Sequence, residues 1–212
     1  MTDFRAIIFD VDGTILNTRE LLFQSFEHAL SAHGHVVSDM QERLAKVVGL
    51  PLSDCYTALV PGGDVLSLCK AHREFQKRKF DLIAPYDGLT DVLGSLKKRE
   101  MKLGVYSVRS ETLRPSLVHA NIHSYFDAVI DGSDVVNHKP HPEGVLKVLE
   151  QLEVDPSKAV MVGDTPFDIH AGKAAGVALT IGITHGFATK ERLEESGADK
   201  VIHSLRDLLL LL

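Results

Sequence analysis

The chain has 212 residues, 44% of them hydrophobic and 25% charged, which are ordinary globular proportions with room for one core and a small accessory domain. Its formal net charge of -6 offers no global attraction to nucleic acid or to an anionic membrane, so neither partner is expected. The two cysteines, Cys55 and Cys69, stand in no metal-ligand spacing and read as reduced thiols of an intracellular protein.

Met1 to Arg5 lacks the basic-then-apolar pattern of a leader peptide, and a cytoplasmic protein is expected. An apolar run, Ala6 to Phe9, follows at once. Similar runs recur at Leu103 to Tyr106, Ala128 to Ile130, Ala159 to Val162, Ala178 to Ile181 and Lys200 to Ile202. Short apolar runs of this kind mark strands buried on both faces of a parallel sheet. Between them, Leu89, Val92, Leu93 and Leu96 recur at helical spacing, as do Val145, Val148, Leu149 and Leu152. The alternation predicts an α/β fold with a doubly wound parallel sheet.

The gap between the first two runs is too long for one crossover. Residues 17–85 carry helical patterns of their own and read as a helical domain inserted into a core made of residues 1–16 and 86–212. Asn17 with Glu20 has the spacing of a capping box for a helix carrying Leu21, Leu22, Ser25, Phe26 and Leu30. Further helices are predicted over Met40 to Val48 and Val65 to Phe80, with loops at Gly49 to Leu52 and Pro61 to Gly63. The final leucines, Leu208 to Leu212, are too few to span a bilayer. They read as the apolar end of a last helix or as a contact surface, so monomer and homodimer both stay open.

Four groups of residues carry chemistry. Asp10 and Asp12 flank Val11 directly after the first strand, so both project to one side, and Gly13 allows a sharp exit. Two carboxylates that close call for a shared proton or a nearby cation. One can serve as nucleophile and the other as acid and base. A plain Asp-Gly turn is the bland alternative. Asp164 and Asp168 follow the Ala159 to Val162 run, one helical turn apart. Four aspartates at one sheet edge suit a hard divalent cation, magnesium better than zinc. Ser107 ends the Leu103 to Tyr106 strand and can donate to a phosphoryl oxygen, with Arg109 two residues on as a further phosphate contact. An ordinary strand-end serine is the alternative. Lys139 sits in His138-Lys139-Pro140-His141-Pro142, where it could aim an ammonium at the acidic group. Alone it would read as a surface lysine. His138 and His141 invite a metal reading, but no third nitrogen or sulfur ligand accompanies them. Asp10, Ser107 and Asp164 each follow a different predicted parallel strand, and such strands share one carboxyl edge.

These motifs, in this order and over nearly the whole chain, resemble the haloacid dehalogenase superfamily. Asp10-Val11-Asp12-Gly13-Thr14 resembles its first motif, Ser107 its second, Lys139 its third, and Gly163-Asp164 with Asp168 its fourth. The helical insert resembles the small cap of the phosphoglycolate phosphatase-like and pyrophosphatase-like branch. Leu16 to Leu21 and His72 to Phe75 are weakly similar to pyrophosphate-hydrolysing members. The resemblance implies a phosphatase in which Asp10 becomes an aspartyl phosphate and Asp12 protonates the leaving group and then activates water. Mg2+ would be held by Asp10, Asp164 and the backbone carbonyl of Asp12, with Asp168 in support. Ser107 and Lys139 would hold phosphoryl oxygens. Thr14, Gly49, Arg73 and Arg109 are expected on the substrate side, and Arg19, Arg43 and Lys77 are further candidates for a second anionic group. Val108 stands where many relatives have Asn, which removes one side-chain contact. The expected substrate is a small phosphorylated metabolite, a phosphoglycolate-like monoester, with inorganic pyrophosphate or a phosphosugar mutase reaction as alternatives. A dehalogenase is disfavoured by the Asp10 and Asp12 pair, and a phospho-accepting signalling domain by the inserted block.

Overall fold

The computed structural model describes residues 4–36 and 38–212. The first strand, β1 (Ala6–Phe9), leads into a two-residue strand, β2 (Leu16–Asn17). Four helices follow: α1 (Arg19–Ala32), α2 (Met40–Val47), α3 (Leu52–Leu59) and α4 (Val65–Lys77). The chain returns through β3 (Ala84–Pro85), which pairs antiparallel with β2. Then come α5 (Leu89–Lys98), β4 (Lys102–Tyr106), α6 (Leu113–His119), β5 (Ala128–Ile130), α7 (Glu143–Leu152) and β6 (Ala159–Gly163). The last elements are α8 (Pro166–Ala175), β7 (Leu179–Ile183), α9 (Lys190–Glu195), β8 (Lys200–Ile202) and α10 (Leu208–Leu211).

Six strands form one parallel sheet in the order β5-β4-β1-β6-β7-β8. The doubly wound α/β fold read from the sequence is the observed one. Because strand side chains alternate, β1 divides its residues between two cores. Ile7 and Phe9 join Leu103, Val105, Leu93 and Leu117 on one face, and Ala6 and Ile8 join Tyr106, Val148 and Met161 on the other. The connections reverse direction at β1, whose neighbours are β4 and β6. Phe9 lies in register with Val105 and with Val162, so the ends of these three strands meet at one crevice. Such a reversal point is where open α/β sheets bind ligands.

The helices α1 to α4 enclose a separate apolar cluster that includes Phe26, Leu30, Leu44, Tyr56 and Leu68. It joins the sheet portion through the paired linkers β2 and β3. Local details depart from the sequence reading. The capping box of Asn17 and Glu20 does not form, because Thr18 takes the N-cap position, which leaves Glu20 one place too early. Asn17 instead accepts from the Arg19 amide, and Glu20 accepts from Gln24. The helix expected over Val65 to Phe80 stops at Lys77, and Phe80 belongs to a separate short turn. The expected loop at Gly49 to Leu52 gives way to α3 at Leu52. Helix α6 also lacked a sequence signal, since Pro115 falls inside it. That proline is tolerated because it sits in the first turn, where amide hydrogens have no helical partner. Of the final leucines, Leu208 joins the core and Leu210 is exposed. No helix among the described residues is long and apolar enough to cross a membrane.

Candidate active site

Asp10 is the first residue past β1, and its amide bonds to Val162 O at 2.9 Å, which ties it to β6. Ser107 is the first residue past β4, and its amide bonds to Ile130 O on β5. Asp164 and Asp168 bracket the start of α8. Carboxylate oxygens of Asp10, Asp164 and Asp168 all lie within 4.8 Å of one another, and all three residues are buried. The three strand ends therefore bring together the residues expected to share one edge.

Lys139 compensates this charge. Its Nζ donates to Asp10 Oδ1 at 2.6 Å, to Asp168 Oδ1 at 2.7 Å and to Tyr106 O at 2.9 Å. Burial alone would discharge the ammonium, but Asp10 and Asp168 hold it charged and raise its pKa above the ordinary value. All three of its hydrogens are thereby taken. Its contacts are with carboxylates and a carbonyl, so the phosphoryl contact expected of it requires one of those donors to be released.

One lysine against three carboxylates leaves excess negative charge. Burial pushes Asp10 up to about 7, with Lys139 pulling it down and Asp168 and Asp12 pushing it up. Burial, with Asp10 and Asp168 beside it, also raises Asp164 well above the usual carboxylate range. An all-oxygen donor set that resists ionisation without further positive charge fits a hard divalent cation. Asp10 and Asp164 are the residues to hold it. Asp168 has less to offer, because its Oδ2 accepts from the Thr165 amide at 3.0 Å and hydroxyl at 2.6 Å. It closes a capping box on α8 while its Oδ1 holds Lys139.

Asp164 is held from several sides. Thr14 Oγ1 donates to its Oδ1 at 2.9 Å, and the Phe187 amide to its Oδ2 at 2.8 Å. Gly13 has φ +86°, and a Cβ there would stand 2.4 Å from Asp164 Oδ2, so only glycine lets the strand exit this close. Thr14, expected on the substrate side, is instead fully buried against Asp164, a correction that follows from the chain turning inward after Gly13.

A cavity of about 240 Å3 opens from Asp10, Asp12 and Ser107 toward the inserted helices. Gly49 and Arg73 line it as expected, and Leu50 to Ser53 and Val108 line it too. The Asp12 side chain faces this cavity rather than the three-carboxylate group, with Arg109 Nη2 at 3.3 Å from its Oδ1. Any part for Asp12 in holding a cation falls to its backbone carbonyl. Ser107 Oγ accepts from the Arg109 amide at 3.1 Å, and Arg109 Nη2 donates to Ser116 Oγ at 2.9 Å. Arg109 Nε and Nη1 are buried beside the cavity with no hydrogen-bond partner among the described residues. Buried donors of this kind are costly unless something occupies them.

The other insert cations are engaged elsewhere. Arg19 donates to Gly186 O, Arg43 to Leu59 O, and Lys77 pairs with Glu74 and Glu111. His141 Nδ1 accepts from the Glu143 amide, while His138 lines the cavity, so the two do not share a ligand position. Arg73 lines the cavity from α4 as expected, but the parts of its neighbours on that helix were missed. His72 and Gln76 line it from α4, and Gln76 Oε1 accepts from Thr112 Oγ1 at 3.0 Å across to the sheet portion. The four-residue spacing of His72 and Gln76 on a helix was the available signal.

The family model for haloacid dehalogenase-like hydrolases matches residues 7–181. The chain belongs to that family. A pyrophosphatase PpaX from Bacillus pumilus is 33% identical over 208 residues, covering 96% of this chain and 94% of the relative. A PpaX from Anoxybacillus flavithermus is 32% identical, covering 99% and 97%. Among solved structures, a haloacid dehalogenase-like hydrolase from Bacteroides fragilis superposes with a TM-score of 0.90 at 24% identity, covering 97% of this chain and 99% of that one. A predicted phosphoglycolate phosphatase from Haemophilus somnus gives 0.90 at 21% identity, covering 100% and 99%. At those identities they share the fold. A β-phosphoglucomutase from Thermotoga maritima gives 0.76 at 27% identity, covering 98% of each chain. The protein is a hydrolase of this family, of the phosphatase kind expected from its motifs.

Proposed function

We propose that the chain hydrolyses a small phosphorylated metabolite through an aspartyl phosphate on Asp10, with Mg2+ as cofactor. The observation that carries this reading is the buried Lys139 bridge between Asp10 and Asp168, two residues that line the cavity, beside Asp164. Asp10 attacks phosphorus, and the bond to the leaving oxygen breaks as Asp12 supplies its proton. Asp12 then takes a proton from water, which attacks the same phosphorus and releases Asp10 and phosphate. Ser107 and a donor released by Lys139 hold phosphoryl oxygens. Asp10 and Asp164 would hold the cation, which would supply neutralisation of charge on the transferring group. Residues 17–85 serve as a cap that bounds the cavity and excludes water, on a core of residues 1–16 and 86–212. The working location is the cytoplasm, in keeping with two buried free cysteines.

Of the substrates left open by the sequence, inorganic pyrophosphate gains support. The PpaX relatives are named pyrophosphatases and match over nearly the full chain. Arg109 meets Asp12, the proposed leaving-group acid, through Nη2, and its two unpartnered donors, Nε and Nη1, are left for the charge of a second phosphate. A phosphoglycolate-like monoester, with a carboxylate in that place, is the second reading. Phosphate release from a panel of phosphoesters and pyrophosphate, with Mg2+ and with a chelator, tests both. Asp10→Asn is expected to abolish turnover, and appreciable residual release by that variant would refute the nucleophile assignment.

A further inference from the structure

The loop His185-Gly186-Phe187 touches three things at once. It holds Asp164 through the Phe187 amide, at 2.8 Å from Oδ2. The approach is so close that a Cβ on Gly186 would stand 2.1 Å from the same oxygen, so a shift of this loop moves the carboxylate with it. The loop also meets the outgoing linker of the cap. Arg19, the first residue of α1, donates from Nη2 to Gly186 O at 2.5 Å, and its guanidinium lies 4.9 Å from the centre of the Phe187 ring. Finally, it meets the returning linker. Tyr86, directly after β3, stacks its ring on His185 at 3.6 Å and 13°, and its hydroxyl donates to His185 O at 3.2 Å. The His185 ring is itself fixed, because Nε2 donates to Thr14 O at 2.9 Å, and Thr14 is the residue whose hydroxyl holds Asp164 Oδ1. Phe187 also packs against the apolar cluster of the cap.

We infer that Arg19 and Tyr86 are positioning residues that set the Asp164 carboxylate for its cation, so that the pose of the cap and the affinity for the cation are one coupled equilibrium. The inference rests on the reading of Asp10 and Asp164 as the cation-holding pair. The coupling is reciprocal: a substrate that fixes the cap tightens the cation, and the cation favours the cap pose that the substrate needs. The physical element is short and continuous. Both linkers grip a three-residue loop whose amide and close-packed glycine define two sides of one buried carboxylate.

The test is the Mg2+ dissociation constant of the full chain without substrate, read from the rise in melting temperature with Mg2+ concentration. Arg19→Ala and Tyr86→Leu are each expected to weaken Mg2+ about five-fold or more, and Arg19→Lys to recover part of the loss. Arg43→Ala is the control, since that guanidinium bonds Leu59 O within the cap and is expected to leave the constant unchanged. Phe187→Leu keeps the amide and removes the guanidinium stack, so it carries the same expectation if either main variant fails to fold. Native Mg2+ affinity in these variants overturns the inference, as does an equal loss in Arg43→Ala. An absence of any Mg2+ effect on the native chain overturns the cation-pair reading, and the inference with it.

Discussion

Lys139 Nζ stands 2.6 Å from Asp10 Oδ1 and shares its charge with Asp168 at 2.7 Å, so one buried ammonium joins the proposed nucleophile to the capping acid of α8. Replacing it by Met leaves the carboxylates without their internal cation. Loss of one preorganised donor lowers kcat by about 100- to 1,000-fold in comparable sites, and that range is expected here. Breaking a buried ion pair costs about 3–5 kcal/mol, offset in part if Asp10 binds a proton instead. Lys139→Arg should not rescue, because the three acceptors surround a point-like ammonium and leave no room for a planar fork. Steady-state kinetics and urea unfolding of both variants check this. Near-native turnover in either one contradicts the placement.

Arg109 gives a more selective prediction. Its free Nε and Nη1 are expected to bind the charged far end of the substrate, and a hydrogen bond to a charged group contributes about 1.5–3 kcal/mol. Arg109→Ala should therefore raise KM for pyrophosphate about ten-fold or more, while leaving KM for an aryl phosphate monoester, whose leaving group carries no charged far end, nearly unchanged. An equal effect on both substrates would assign Arg109 to Asp12 alone, through the 3.3 Å ion pair.

The sheet and most of the site were legible in the sequence, for a physical reason. Buried parallel strands read as apolar runs, and the residue after each run falls at the shared carboxyl edge, which placed Asp10, Ser107 and Asp164 together. Thr14 was misjudged because its direction depends on the turn at Gly13, where the chain folds back against Asp164. Arg19, Arg43 and Lys77 were misjudged because a cation on a helical pattern does not disclose its acceptor, and each one found a backbone carbonyl or a carboxylate away from the cavity. Short helices such as α3 and α6 carry too few periods to stand out. The Gln76 to Thr112 contact joins positions 36 apart and had no local signal.

Removal of the cation makes a prediction about stability as well as rate. With Asp10 and Asp164 both raised by burial and by the neighbouring Asp168 carboxylate, Mg2+ is expected to stabilise the native chain with the logarithm of its concentration, by about 2.7 kcal/mol at a hundred times its dissociation constant. Chelation should abolish phosphate release and lower the melting temperature. Ca2+ should restore melting temperature better than activity, because it binds oxygen donors with looser geometry. Full activity in chelator would refute the cofactor assignment.

His72 supplies a pH-dependent prediction away from the cation. Its Nδ1 lies 3.0 Å from Tyr56 Oη and its Nε2 2.9 Å from Gln76 Nε2. Thr112 donates to Gln76 Oε1, so the Gln76 amide NH2 faces His72 Nε2, and that nitrogen must accept. A protonated ring would present a hydrogen to a donor. Burial, with the charges of Arg73 and Arg109 in support, pushes His72 down to about 3 from an ordinary 6.5. The unfolded chain therefore binds the extra proton between these values, so this contribution is complete above about pH 6.5 and is lost as pH falls toward 3. Relative to His72→Asn, the native chain should lose about 2 kcal/mol of stability between pH 7.5 and 5.0. Urea unfolding of the two proteins at both pH values measures the difference. Parallel pH profiles would mean that His72 charges freely in the folded state and that the contact from α4 to Thr112 does not depend on a neutral ring.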